Sequence, residues 1–160
     1  MVSRYDWLLF LHVLAAFSLV AAQILVTFLI AGGWRVELPS EITRMFRLSR
    51  AGDVLFGIGA MGTILFGILL AIDADEYQVW DGWVIAALVL WAVAMAIGGR
   101  TARHYYGARD RAKALVAEGR DVPNPELTET LRSPVGLALH LATVVLVVLL
   151  LIDMIYKPGA

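Results

Sequence analysis

The stretch YDWLLFLHVLAAFSLVAAQILVTFLI, residues 5–30, decides how the rest of the chain is read. Asp6 stands at its start. After it, His12 and Gln23 are the strongly polar side chains in an otherwise apolar, small or hydroxyl-bearing run. A helix needs ~20 mostly apolar residues to cross the ~30 Å hydrocarbon core of a bilayer, and this run exceeds that. It also outlasts the apolar core of a secretory signal peptide. Despite Arg4 in front and the small residues of VAAQ, it therefore reads as a retained span.

The whole composition agrees. Of 160 residues, 60% are hydrophobic and 17% charged, and mean hydropathy is +0.76. Soluble domains lie nearer ~45–50% apolar and ~25% charged. A net charge of −1 gives bulk electrostatics no hold on nucleic acid. Cysteine is absent, which removes disulfides, cysteine-ligated zinc, iron–sulfur clusters and thiol nucleophiles. No HExxH, GxSxG, P-loop or CxxC pattern occurs, so the sequence carries no catalytic signature and no catalytic residue is assigned.

Four spans follow: residues 5–31, 51–72, 82–104 and 135–156, the third with its apolar part at 82–99. Backbone groups in lipid must be paired within the segment, so these are helices. The expected fold is all-α, an integral membrane four-helix bundle forming one transmembrane domain over residues 1–160. Its long connections are residues 32–50 and 105–134. The first holds Arg35, Arg44, Arg47 and Arg50. Beyond the apolar part of the third span come Arg100, Arg103, Arg109, Arg111, Lys113, Arg120 and Arg132. Together these are eleven of the thirteen cations. The short connection DADEYQVWD has four acids and no cation. The positive-inside rule places the basic loops in the cytoplasm and both termini outside.

Aromatics mark the same depths, since tryptophan and tyrosine favour the headgroup level. Tyr5, Trp7, Tyr77, Trp80, Trp83 and Tyr156 belong at the outer interface, Trp34, Tyr105 and Tyr106 at the inner one, and Trp91 alone at mid-depth. In the first connection, Pro39 followed by Ser40 as N-cap and Glu41 in the first turn predicts a short helix. Its Met45, Phe46 and Leu48 would lie along the inner membrane surface. A helix should continue the third span as far as Gly119, with DVPNPEL breaking it. Ser133 with Pro134 should open the fourth span. Asp53 is expected to pair with an arginine at the inner boundary.

Packing signals are also present. Gly59, Thr63, Gly67 and Ala71 recur at four-residue spacing in the second span, with Gly62 beside them. Such faces let helices approach closely. Internal helix packing explains this face, as would contact with another membrane subunit or a planar cofactor. On the first span, Ala16, Gln23 and Thr27 lie within about 60° of His12. Gly136, His140 and Thr143 form a shorter stripe on the fourth. Both stripes should face the bundle interior, because polar groups are costly against lipid.

An ionisable group inside a membrane is a functional candidate, and imidazole is a common axial ligand of haem iron in helical bundles. His12, His140 and His104 are therefore candidate ligands of a b-type haem, with Gln23 beside them and Arg100 and Arg103 placed to meet propionates or anionic lipid headgroups. His12 and His140 are the candidates for the iron itself. The bland alternative is neutral imidazoles hydrogen-bonded within the bundle. By rise per residue, His12 lies ~10 Å below the outer boundary and His140 ~9 Å above the inner one. That stagger is awkward for two ligands of one iron.

The patch LHVLAA with its early histidine, followed by a basic loop and three more spans, resembles a bacterial family of predicted integral membrane proteins. That family is itself similar to copper-resistance-D-like (CopD-like) and HemJ-type membrane proteins. The resemblance implies a multi-pass protein of the bacterial inner membrane, with His12 matching a histidine implicated in haem or porphyrin binding. It does not carry the HemJ-type basic residue further along the first span, where this chain has Gln23 and Thr27. Two functions stay open: a haem-binding bundle for electron transfer or sensing, and a cofactor-free accessory subunit of a larger membrane complex. A porphyrin oxidase is a weaker third.

Overall fold

Ser3 and Asp6 close a capping box at the start of the first helix. The Ser3 hydroxyl accepts from the Asp6 N–H at 3.1 Å, and the Asp6 carboxylate accepts from the Ser3 N–H at 2.8 Å. These bonds satisfy backbone donors that a helix start leaves unpaired. The helix, α1, then runs Arg4–Gly33. The structure, a computed structural model, describes residues 3–74 and 78–158. Tyr77, assigned above to an interface, lies outside the described residues. Five further helices follow: α2 (Pro39–Met45), α3 (Ser49–Asp73), α4 (Gly82–Ala117), α5 (Pro125–Leu131) and α6 (Pro134–Tyr156). Strands are absent among the described residues.

The helices α1, α3, α4 and α6 are each long and apolar enough to cross a membrane. They form two antiparallel pairs, α1 with α3 and α4 with α6. In the first pair, Arg4 at the start of α1 meets Asp73 at the end of α3, at 3.3 Å. In the second, the Lys157 ammonium lies 5.4 Å from the ring centre of Trp83. Lys157 itself takes a left-handed conformation, φ 42°, and closes α6 through its N–H to the Asp153 carbonyl.

The α1–α3 pair is drawn together by absent side chains. A Cβ on Gly59 would stand 2.5 Å from the Leu19 backbone nitrogen, and one on Gly62 would stand 2.6 Å from the Ala15 Cβ. Only glycine permits those approaches, and dispersion accumulates where backbones touch. The line Gly59–Thr63–Ala71 is buried against α1. The face that sequence offered to a second subunit is therefore filled from within the chain. The same geometry sets which face of α1 turns inward: Ala15, Leu19 and Ala22 are buried, whereas His12 and Gln23 are half-buried at the margin and Thr27 is largely exposed. On α6 the stripe Gly136–His140–Thr143 is buried as expected.

At mid-depth the pairs meet through Leu19, Ala60 and Val147, with Phe56, Trp91 and Met95 packed against them. The densest packing lies elsewhere, at the arginine-rich end. Ile42, Leu115, Leu127, Leu131 and Pro39 are the largest side chains shut away completely. They come from α2, α5 and the extension of α4 beyond the span. Here the structure corrects three expectations. The N-cap of α2 is Leu38, not Ser40, with Pro39 in the first turn. Phe46 enters the protein core with Ile42 instead of lying on a membrane surface. The DVPNPEL segment does break the long helix after Ala117, and Gly119 adopts φ +73°. It also starts a helix: the Asn124 side chain accepts from the Leu127 N–H at 3.1 Å and Pro125 occupies the first turn of α5. Ser133 caps α6 as expected, accepting from the Gly136 N–H at 3.3 Å.

Candidate functional site

Each histidine has a different neighbourhood. His12 lies on α1 with its ring against Gly67 of α3, where a Cβ would come within 3.1 Å of Cε1. Gly67 thus gives the imidazole its room. The Thr63 main chain also approaches the ring, but Nδ1 is buried without a hydrogen-bond partner.

His140 is 2% exposed. Its Nε2 lies 2.8 Å from the Thr27 hydroxyl. The same hydroxyl lies 2.9 Å from the Gln23 carbonyl one turn earlier on α1. A hydroxyl has one proton. When it goes to the Gln23 carbonyl, a back-bond common for threonine in helices, His140 must donate Nε2–H to Thr27. Either way this nitrogen is engaged by the protein. The Gln23 side-chain Nε2 is buried with no partner.

His104, on α4, directs Nε2 at the Thr130 carbonyl of α5, 3.1 Å away. A carbonyl only accepts, so the proton sits on Nε2 and the bond ties α5 to α4. The neighbouring Tyr105 ring meets His104 edge-on, 5.2 Å between centres. Gly136 of α6 leaves space for both: a Cβ there would lie 2.7 Å from the Tyr105 hydroxyl and 3.0 Å from the His104 ring. Tyr105 is buried and its hydroxyl has no partner.

The structure therefore sets the His104 ring of α4 against Gly136, one turn before His140 on α6, and sets His12 apart. Thr27 marks the level of His140 on α1, and it stands fifteen residues after His12. At the helical rise that is about 22 Å along the axis. Two axial ligands of one iron must share a level, so His12 and His140 are not placed as a pair. Arg100 and Arg103 are exposed on α4, and the Arg103 Nε–H is turned back onto the Gly99 carbonyl at 3.2 Å. Neither converges on a histidine. Among the described residues there is no group of three or more histidine, aspartate or glutamate side chains arranged to hold a metal ion.

Four polar links at the arginine-rich end join the two pairs or their connections. They are Thr27 with His140, Tyr106 with Asp53, Ser40 with Asp121, and Arg132 with Glu37. Asp53 thus takes its hydrogen bond from the Tyr106 hydroxyl, not from the arginine expected for it. Arg109 instead lies over the Tyr106 ring, 4.4 Å from its centre. Asp153 stands far from Asp53, near the other end of the bundle, so the two acids form no pair. Asp153 is a buried carboxylate near the end of α6 whose Oδ2 has no hydrogen-bond partner.

Four long apolar helices, with His140, Thr143 and Asp153 of α6 turned inward and many large apolar side chains exposed around the bundle, define a multi-pass membrane bundle. Residues 6–158 match the family described as "Predicted integral membrane protein (DUF2269)", and the chain belongs to that family. No curated protein and no solved structure matches it. Kinship to CopD-like and HemJ-type proteins, and a bacterial source, thus rest on the LHVLAA patch and the four-span layout.

Proposed function

We propose that this protein is a non-enzymatic structural bundle, an accessory component of a larger membrane assembly, held with its arginine-rich end inside the cell. One observation carries the reading. The imidazoles of His104 and His140, the groups best suited to cofactor chemistry at that end, spend a ring nitrogen on Thr130 and Thr27. Such bonds assemble helices. What remains for the surroundings is an apolar belt and a basic end, the equipment of a membrane interaction protein. Since α1 covers the Gly59–Ala71 face, a partner subunit would meet other surfaces. The test is purification of the tagged chain from its native membranes in mild detergent. A stoichiometric partner that survives gel filtration supports the proposal, and a homogeneous chain free of partners at every detergent strength overturns it.

A second reading is favoured by His12. Its Nδ1 has no hydrogen-bond partner and Gly67 makes room for the ring itself, so this imidazole is not committed to a protein bond as the other two are and would be the residue to hold a b-type haem. His12 alone would hold the iron, and the haem would supply one-electron chemistry or gas sensing. Arg100 and Arg103 are not positioned to assist at that level.

A further inference from the structure

We propose that the cleft between α1 and α2 is a binding site for one anionic glycerophospholipid, with an acyl chain in the cleft and the phosphate on Arg44. The cleft measures about 410 Å³. Leu25, Phe28 and Leu29 of α1 line it together with Val36, Met45, Leu48 and Arg44. Gly32 leaves room for the Met45 side chain, because a Cβ there would stand 3.2 Å from the Met45 sulfur. Phe28 is 72% exposed and Leu48 is 61% exposed. In a bilayer their neighbours are hydrocarbon tails.

Charge selects the headgroup. Arg44, Arg47 and Arg50 are exposed and form no ion pair among the described residues. Glu41 also lines the cleft, but its Oε2 is turned to the Glu37 and Leu38 N–H groups, 3.4 Å from each, at the start of α2. Of these only Arg44 lines the cleft, with Arg47 and Arg50 exposed nearby in the chain, and the one carboxylate in the lining is already directed at backbone donors. Guanidinium pairs with phosphate through parallel N–H bonds. Trp34, exposed at the end of α1, marks the depth at which a lipid phosphate sits. An apolar slot bordered by the unpaired Arg44 at that depth matches a tail joined to a phosphate. A free phosphate would leave the slot empty, and a zwitterionic lipid would bring its own cation to the arginines.

Native mass spectrometry of the full chain, released from phosphatidylcholine nanodiscs containing phosphatidylglycerol, tests this. The expected result is one phosphatidylglycerol retained per chain in preference to phosphatidylcholine. Arg44→Gln should lower that retention about fivefold, the effect of one basic residue at an anionic surface, while Arg111→Gln on the α4 extension leaves it unchanged. Val36→Trp, which puts a large side chain into the cleft lining, should release the lipid with the arginines intact, so the test survives if Arg44→Gln fails to fold. Equal retention of the two lipids, equal loss in the Arg44 and Arg111 variants, displacement by soluble glycerol phosphate, or a second copy of the chain occupying the face would each overturn the proposal.

Discussion

Thr27 and His140, 113 residues apart in sequence, share a hydrogen bond of 2.8 Å that joins the first long helix to the last. It lies where the two helix pairs begin to merge into the packed arginine-rich end. Thr27→Val should leave His140 Nε2 buried without a partner, and Thr27→Ser should restore the bond. In detergent unfolding the loss should be about 0.5–2 kcal/mol, the range for hydrogen bonds between membrane helices. A double-mutant cycle with His140→Phe should show that the two effects do not add. Strict additivity would mean the contact contributes nothing.

Close approach in the α1–α3 pair gives a sharper contrast. Gly59→Ala puts a methyl group into the Leu19 backbone and should cost about 1–3 kcal/mol through overpacking. Gly57, two residues earlier on the same helix, has open space around it. Gly57→Ala should be neutral or stabilising by up to ~1 kcal/mol. Equal melting temperatures for the two variants would contradict the packing described.

The short helix α5 depends on its cap. Asn124→Ala removes the side-chain bond to the Leu127 N–H and should cost about 1 kcal/mol. The loss should appear locally, as faster amide exchange over residues 125–131, with the apolar spans unchanged. His104→Phe should give the same pattern by releasing the Thr130 carbonyl. Uniform exchange across the chain would show that α5 is not a separate unit.

The link between Ser40 and Asp121 is the one that pH should control. Hydrogen bonds from Ser40 hold the Asp121 carboxyl below its ordinary 3.8. A depressed folded-state value means the tether is intact above the ordinary value and is lost as pH falls through the depressed one. The Ser40 amide resonance should therefore titrate with a midpoint below 3.8, and Asp121→Asn should flatten the curve. A midpoint at or above the ordinary value would refute the contact.

The spans were legible because lipid imposes length and apolarity on every residue of a crossing helix, and 5–31 announces both. The small residues of the second span pointed to close packing for the same reason. What stayed hidden depends on partners far away in sequence. Nothing local shows that Ala15 and Leu19, not His12 and Gln23, form the closest line of α1; the glycines of α3 decide that. Phe46 reads as a membrane-surface residue until the α4 extension is seen to provide a core beside it. Asn124 with Pro125 carries the cap-and-proline pattern of a helix start, but proline ends helices as well, so the pattern alone does not decide. For the candidate site, the sequence named the imidazoles but not their bonds, since Thr27 and Thr130 become partners only through the fold.

The visible absorption spectrum of the purified chain, recorded after incubation with excess haem and gel filtration, tests most directly whether the histidines are structural. The account predicts no retained Soret band and a protein that stays folded and colourless. A Soret band of one haem per chain that disappears in His12→Ala, with the helical content unchanged, would contradict it and make His12 a ligand.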